Sequence, residues 1–281
     1  MPFRDEAVAD PNLDADEREA IAQELYEADR DGEPIAPPRD RWDLSVADGY
    51  GIARRVIDHR LERGEEGDLA GYKIGFTSEA VREDLAVEEP AFGRLLDRTR
   101  PSTAADSTID SSEFIAPRIE PEITFVLGER PHDSLADGDA LDAVRAIVPA
   151  IEIVDCRIRD WDFTPPEAIA DNALAAALLV GEERSPSGLD DDYDSDFDLT
   201  REQVAVEIDN QRVAAGTGAA VLGHPVRALT WLADALAERG ETLAAGDLVS
   251  TGSITRPIPI EPGQRVTARF DSLGSVDVGI E

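Results

Sequence analysis

In the stretch Arg118-Ile119-Glu120-Pro121-Glu122-Ile123-Thr124-Phe125-Val126-Leu127, two glutamates fall on one face of an extended chain. Ile119, Ile123, Phe125 and Leu127 fall on the other. Carboxylates that close repel, so one takes a proton unless a cation sits between them. A third acid, Glu152, stands in AIVPAIEIVD among Ile151, Ile153 and Val154, where an unpaired charge is costly to bury. Three carboxylates, with water or a chelating substrate completing the shell, suit a hard divalent ion, Mg2+ or Mn2+. Two plainer readings compete. Glu120 and Glu122 could simply face solvent on an antiparallel sheet, and Glu152 could pair with Arg157 or Arg159.

Lys73 is the second anchor, as the one lysine among 27 basic residues. A buried lysine can give up its proton and act as acid or base near neutral pH, whereas arginine essentially never does. Gly71 and Gly75 flank it and would let backbone or ligand approach closely. The competing reading is an ordinary salt bridge. Cys156 reads as hydrophobic packing, since His59, His132 and His224 form no nucleophile motif with it. There is no GxGxxG, P-loop, GxSxG or HExxH pattern.

These residues must be positioned by the elements around them. A helix is expected from near Asp14, with Ile21, Leu25 and Ala28 on one face. A second starts at the Ser45 cap, turns Val46, Ala53, Ile57 and Leu61 inward, and stops near Gly64. Between them, GEPIAPPRDRW reads as a proline-rich linker. From Leu69 onward LAGYKIGF, IAPRIEPEITFVLG, AIVPAIEIVD, ALLVG, QVAVEID, DLVSTGS, QRVTARF and SVDVGI read as strands. Hairpin turns are expected at Asp209–Asn210 and Asp271–Gly274. One helix interrupts the strands, from Pro225 to Gly240, with Leu229, Leu232, Ala233 and Leu236 on one face. The expectation is an α+β chain: a helical N-terminal region over 1–68, then a mainly β catalytic domain over 69–281 forming a curled sheet or barrel-like roll. The acidic run 190–198 lacks the glycine and glutamate of an EF-hand loop, with Ser195 and Arg201 in their places. It reads as a solvated loop.

Composition narrows the function. Sixty-one acids against 27 bases leave a net charge of −34 over 281 residues. Such a surface repels nucleic acid and anionic lipid. High acid with almost no lysine points to a halophilic, salt-rich cytosol, where a Debye length of about 3 Å at molar salt screens the self-repulsion. One cysteine fits a reducing compartment. No apolar run is long enough for a membrane span, and the charged start is no signal peptide. A soluble cytoplasmic protein is expected.

The segments GYKIGFTS, PAFGRLLD, PRIEPEITFVL, PAIEIVDCRIRDW, IADNA, LGHPVRALTWLA, GDLVSTGS and LGSVDV, in that order, resemble the 2-keto-4-pentenoate and 2-oxohepta-3-ene-1,7-dioate hydratases of the fumarylacetoacetate hydrolase superfamily. The resemblance covers about three quarters of the chain, from about Gly71 on. It implies a distorted β-roll, a homo-oligomer, and a divalent metal (Mg2+ or Mn2+) on Glu120, Glu122 and Glu152. It implies Lys73 as proton carrier, Thr251-Gly252-Ser253 as the turn that hydrogen-bonds the substrate carboxylate, and Phe92 among the substrate-binding residues. The implied reaction adds water to a 2-hydroxy-2,4-dienoate to give a 4-hydroxy-2-oxo acid in aromatic degradation. Rival readings on the same scaffold are 2-oxo-3-hexenedioate decarboxylation and acylpyruvate hydrolysis. Outside enzymology the chain could be a metal- and 2-oxo-acid-binding partner of a related decarboxylase. One departure matters: where the family places an aspartate, this chain has Ala91, so Glu88 or Glu89 is expected to take over the water-activating role. Leu174 replaces a common serine and points to a more apolar pocket wall.

Overall fold

Two capping boxes start the fold. Asp14 accepts from the backbone of Asp16 and Glu17 and opens helix α1 (Ala15–Asp31), with the Glu17 side chain returning to Asp14 N. Ser45 and Asp48 do the same for α2 (Val46–Glu62). Asp48 is fully buried, and its carboxylate also accepts from Asn12 N at 2.8 Å and Leu13 N at 3.2 Å. That ties the incoming chain to α2. Ile21, Ala22 and Leu25 of α1 meet Ile52 and Val56 of α2 in one cluster with Val154, Cys156, Ile158 and Ala168. Each fully buried isoleucine or leucine there contributes roughly 1.5–3 kcal/mol. The proline-rich segment between them is pinned rather than free: Ile35 N donates to Arg157 O and Arg159 N to Ile35 O, both at 2.9 Å.

The computed structural model describes residues 10–64, 67–97, 107–131, 137–186 and 198–281, and of the acidic run 190–198 only Asp198 falls within them. The larger sheet contains β1 (Leu69–Gly75), β2 (Ala91–Leu96), β4 (Arg118–Leu127), β5 (Val144–Val154), β6 (Ala175–Val180), β9 (Leu248–Ser250) and the short β10 (Ile258–Pro259). Its order is β2-β1-β9-β4-β5-β6, with β10 on β4. All pairs are antiparallel except β1 with β9. β2 and β6, at opposite ends of that order, pack against each other, so the sheet curls into a roll. Leu95, Val126, Val148, Ala150, Leu178 and Leu248 fill part of its inner face.

The outer face carries the main core. Ile119, Ile123, Phe125, Ile151 and Ile153 pack with Val206, Val266, Ala268, Val276 and Val278 of a second sheet. That sheet runs β3 (Thr108–Ile109), β12 (Gly274–Ile280), β11 (Arg265–Phe270), β7 (Gln203–Ile208), β8 (Gln211–Thr217). Both expected hairpins are present. Ile208 faces Gln211 across Asp209 and Asn210, whose φ values of 51° and 64° fit a two-residue turn. Phe270 faces Gly274 across the other. Helix α6 (Val226–Ala237) turns Leu229, Leu232 and Leu236 into the same core.

Three short helices add to what periodicity reveals: α3 (Glu79–Leu85), α4 (Asp137–Asp142) and α5 (Pro165–Ala170). Two turns are too short for an apolar stripe to stand out, although Thr164 and Glu167 cap α5. No helix among the described residues is long and apolar enough to cross a membrane.

Candidate active site

The antiparallel register of β4 and β5 sets Glu120 directly opposite Glu152, with Glu122 against Ala150 on the same inward face. One oxygen from each of Glu120, Glu122 and Glu152 lies within 4.8 Å of the others. Glu122 and Glu152 are fully buried and Glu120 is half-buried, so the acids do not simply face solvent. Burial raises all three carboxyls. Glu120 is pushed up to about 7, held from going higher by Lys73 and pushed further by Glu122. Burial raises Glu122 and lifts Glu152 well above the ordinary carboxylate range, with Lys73 opposing in both cases.

Lys73 reaches this group from β1. Its ammonium is almost fully buried, donates to the Ala173 carbonyl at 2.9 Å, and stands 3.2 Å from Glu152 Oε2. The latter contact is an ion pair without hydrogen-bond alignment. Burial alone would lower the lysine pKa, but Glu152, Glu120 and Glu122 outweigh it and raise it. Glu152 therefore pairs with the lysine. Arg157 is engaged elsewhere, donating from Nε to Asp171 at 2.5 Å.

Strand β9 supplies a residue that sequence reasoning missed. Ser250 sits beside Lys73 on one side and Thr124 on the other. Its hydroxyl donates to Glu122 Oε2 at 2.6 Å, and Gly252 N donates to the same oxygen at 2.9 Å. At Gly252, φ is 108° and a Cβ would lie 2.2 Å from Thr77 Oγ1, so only glycine brings that N–H to Glu122. The neighbours in the expected turn are used on the protein itself. Thr251 Oγ1 donates to Ile123 O and Ser253 Oγ to Thr255 O, each at 2.8 Å.

The carbonyl under Lys73 has an unusual support. Asn172, Ala173 and Leu174 have φ of 52°, 50° and 64°, a left-handed run that costs non-glycine residues about 1–2 kcal/mol each. Asn172 exchanges two 2.8 Å hydrogen bonds with the backbone of Arg94. Gly93 makes room, since a Cβ there would lie 2.1 Å from Asn172 O. The buried Arg157–Asp171 pair holds the run from before, with Arg157 Nη2 donating to Asp171 O at 2.8 Å. Leu174 packs with the N-terminal helical cluster.

The remaining residues lie around this group. On β2, Ala91 and Gly93 pair with Gly75 and Lys73 and share their face. Phe92 alternates to the other face, stacking on Tyr50 at 4.7 Å between ring centroids and joining the main core. Glu88 and Glu89 are exposed in the bend before β2, and the Glu89 charge acts on Tyr50. Cys156 is buried and burial pushes its thiol up to about 12, which suits packing. His59 pairs with Glu19 at 2.8 Å, and His224 Nδ1 accepts from Val226 N.

Glu122 Oε1 and both Glu152 oxygens are buried without a hydrogen-bond partner. With Glu152 Oε2 facing the Lys73 ammonium, Glu122 Oε1 and Glu152 Oε1 are the buried oxygens left open, and clustered with a third acid they are a donor set that fits a hard divalent cation. A hollow of about 460 Å³ between 39–44 and 164–167 is lined by none of these acids. The cluster sits inside the roll.

Comparison with known proteins gives concordant matches. The family model of the fumarylacetoacetate hydrolase C-terminal domain matches residues 98–281. A 2-keto-4-pentenoate hydratase of Paraburkholderia xenovorans is 36% identical over 268 residues, covering 94% of this chain and 95% of that protein. A 4-oxalocrotonate decarboxylase of a Pseudomonas species is 36% identical over 258 residues, 91% and 95% of the two chains. In structure, the 4-oxalocrotonate decarboxylase of Pseudomonas putida G7, complexed with magnesium and adipate, superposes with a TM-score of 0.88 at 31% identity, over 97% of this chain and 100% of that one.

Proposed function

The chain belongs to the fumarylacetoacetate hydrolase family, and from that membership we propose that it is a divalent-metal-dependent hydro-lyase that hydrates a 2-hydroxy-2,4-dienoate. The observation that carries the reading is the open, buried carboxylate group of Glu120, Glu122 and Glu152 beside the chain's one lysine. Mg2+ or Mn2+ on those three acids would supply the positive charge that holds the substrate's C1 carboxylate and C2 oxygen and steadies the enolate.

The chain's own groups do the rest. The 2-hydroxyl proton leaves as C5 gains a proton, giving a 2-oxo-3-enoate. Water then adds at C4 and a proton at C3, giving a 4-hydroxy-2-oxo acid. Lys73 carries at least one of these protons, with its ammonium seated on the Ala173 carbonyl. Ser250 and Gly252 N–H fix Glu122, leaving its other oxygen to a metal. The Thr251-Gly252-Ser253 turn is assigned to the substrate carboxylate, which it reaches by exchanging one of the bonds it now makes to Ile123 O, Glu122 or Thr255 O, while Phe92 backs β2 from behind. Glu89, in the bend leading to Ala91, is assigned to the incoming water.

A second reading is decarboxylation of a 2-oxo-3-hexenedioate. The observation favouring it is Ala91, which places no acid on the Lys73 face of β2. We assign the enzyme to a salt-rich cytoplasm as a homo-oligomer that can join a related decarboxylase, on the strength of its −34 charge and its relatives' chemistry.

The test is an ultraviolet assay in molar KCl on 2-hydroxypenta-2,4-dienoate with Mg2+, Mn2+ or EDTA, with products identified by mass. Hydration predicts a metal-dependent gain of one water. Metal-dependent loss of CO2 from the hexenedioate without hydration would establish the second reading instead.

A further inference from the structure

On the inward face of β4 the charges run outward in order: Glu122 fully buried, Glu120 half-buried, then Arg118, also half-buried. We propose that Arg118 is a specificity residue that takes the distal carboxylate of a dicarboxylate substrate. This rests on the reading of the glutamate group as a 2-oxo-acid site.

Arg118 has no carboxylate within ion-pair distance among the described residues, in a chain with 61 acids and 27 bases. Other buried or half-buried arginines are taken: Arg94 holds Glu241, and Arg157 holds Asp171. The Arg118 guanidinium instead lies 3.8 Å from the centre of the Trp161 ring. Stacking by its flat face leaves the edge N–H groups free for a forked contact with a carboxylate.

The platform is built. Trp161 Nε1 donates to Ala116 O at 3.2 Å. Asp160 and Trp161 have φ of 59° and 57°, a left-handed pair of non-glycine residues that the surrounding structure must hold in place. Two residues along a strand span about 6.8 Å, the length scale that separates the two carboxyl carbons of an extended six-carbon dioate. With its 2-oxo acid end held beside Glu120 by the cation, a substrate would have its far end within reach of Arg118. A monocarboxylate would leave the guanidinium with only the Trp161 ring and the nearby charge of Glu120.

The test is calorimetric binding of two unreactive acids to the Mg2+-loaded protein in molar KCl, 2-oxohexanedioate and 2-oxohexanoate, which differ only in the distal carboxylate. Wild type is expected to bind the dioate at least about tenfold tighter, the scale of one charge-assisted contact. Arg118→Gln is expected to lose that preference while binding the monoacid within twofold of wild type, and Trp161→Ala to lose part of it. Equal affinity in wild type, or an Arg118→Gln loss shared by both acids or by Mg2+ itself, would overturn the assignment and leave Arg118 as a counter-charge for Glu120. Because the readout is binding, a protein that prefers the dioate yet hydrates nothing defeats the hydratase reading alone.

Discussion

The Lys73 ammonium is seated on the backbone carbonyl of Ala173, 2.9 Å away, and that carbonyl is aimed by three successive residues of left-handed conformation. Strain is thus spent on where one lysine points. The Arg157–Asp171 pair, buried on both sides, and the Asn172 bonds to Arg94 hold the strained run in place. A salt bridge of no consequence would need none of this.

Replacing Lys73 should therefore separate binding from chemistry. Lys73→Ala is expected to cut turnover by about 10²–10⁴-fold, the usual worth of a positioned proton carrier. Lys73→Arg should fare no better, because a guanidinium keeps its proton. Both variants should still take up Mg2+. Steady-state rates beside a Mg2+ titration check this, and a Lys73→Arg variant with near-normal turnover would limit the residue to a charge.

Gly93 should matter for the same reason. A methyl group there would lie 2.1 Å from the Asn172 carbonyl oxygen, so the strained run must retreat and take the Ala173 carbonyl with it. Gly93→Ala is expected to lower kcat at least about tenfold with a smaller change in Mg2+ affinity, since misplacement by an ångström is costly in this way. Equal losses in both would mean that the substitution damages the roll as a whole.

The pH dependence follows from the raised carboxyls. Glu120 sits at about 7 because of burial, and Glu122 and Glu152 are raised as well. Protons must leave before a cation binds, so Mg2+ affinity should fall as pH drops below about 7, roughly tenfold per pH unit for each proton displaced. Without metal the sign reverses. A carboxyl with its folded pKa above its unfolded one holds its proton more tightly when folded, so its burden on stability grows as pH rises through the folded value. Glu120→Gln should raise the metal-free Tm by roughly a few degrees at pH 8, do little at pH 5, and weaken Mg2+ binding. Thermal melts with EDTA at the two pH values check it, and a lower Tm at pH 8 would count against the burial argument.

The legible parts of this site are those written in local pattern. Glu120 and Glu122 alternate against Ile119 and Ile123, so their shared face follows from period two alone, and Glu152 stands out by interrupting an apolar run, although its place opposite Glu120 is set by the register of β4 and β5. The caps at Asp14 and Ser45 and the Asp209–Asn210 turn are equally local. Ser250 was not legible, because its contact with Glu122 depends on β9 slotting between β1 and β4, a pairing across more than a hundred residues. Nor was the Ala173 carbonyl, since neither alanine nor leucine marks a left-handed run. Phe92 lies in a segment of the family pattern, yet strand alternation turns its ring away from Lys73.

The source of the water-activating base can be read from a cycle of substitutions on β2 and the bend before it. Ala91 shares the inward face with Lys73 and is buried, whereas Glu88 and Glu89 lie exposed before the strand. If Glu89 acts on water, Glu88→Gln with Glu89→Gln should cost hydration at least about tenfold while leaving Mg2+ binding intact. Ala91→Asp places a carboxylate on the Lys73 face, where the buried ammonium can offset its desolvation. It should raise hydration and make the two glutamates dispensable, so the effects of the two changes would be strongly non-additive. Hydration rates of the four proteins decide it. A silent double variant removes Glu89 from the chemistry, and if Ala91→Asp then creates hydration where wild type shows only decarboxylation, the alanine is what sets this chain's reaction.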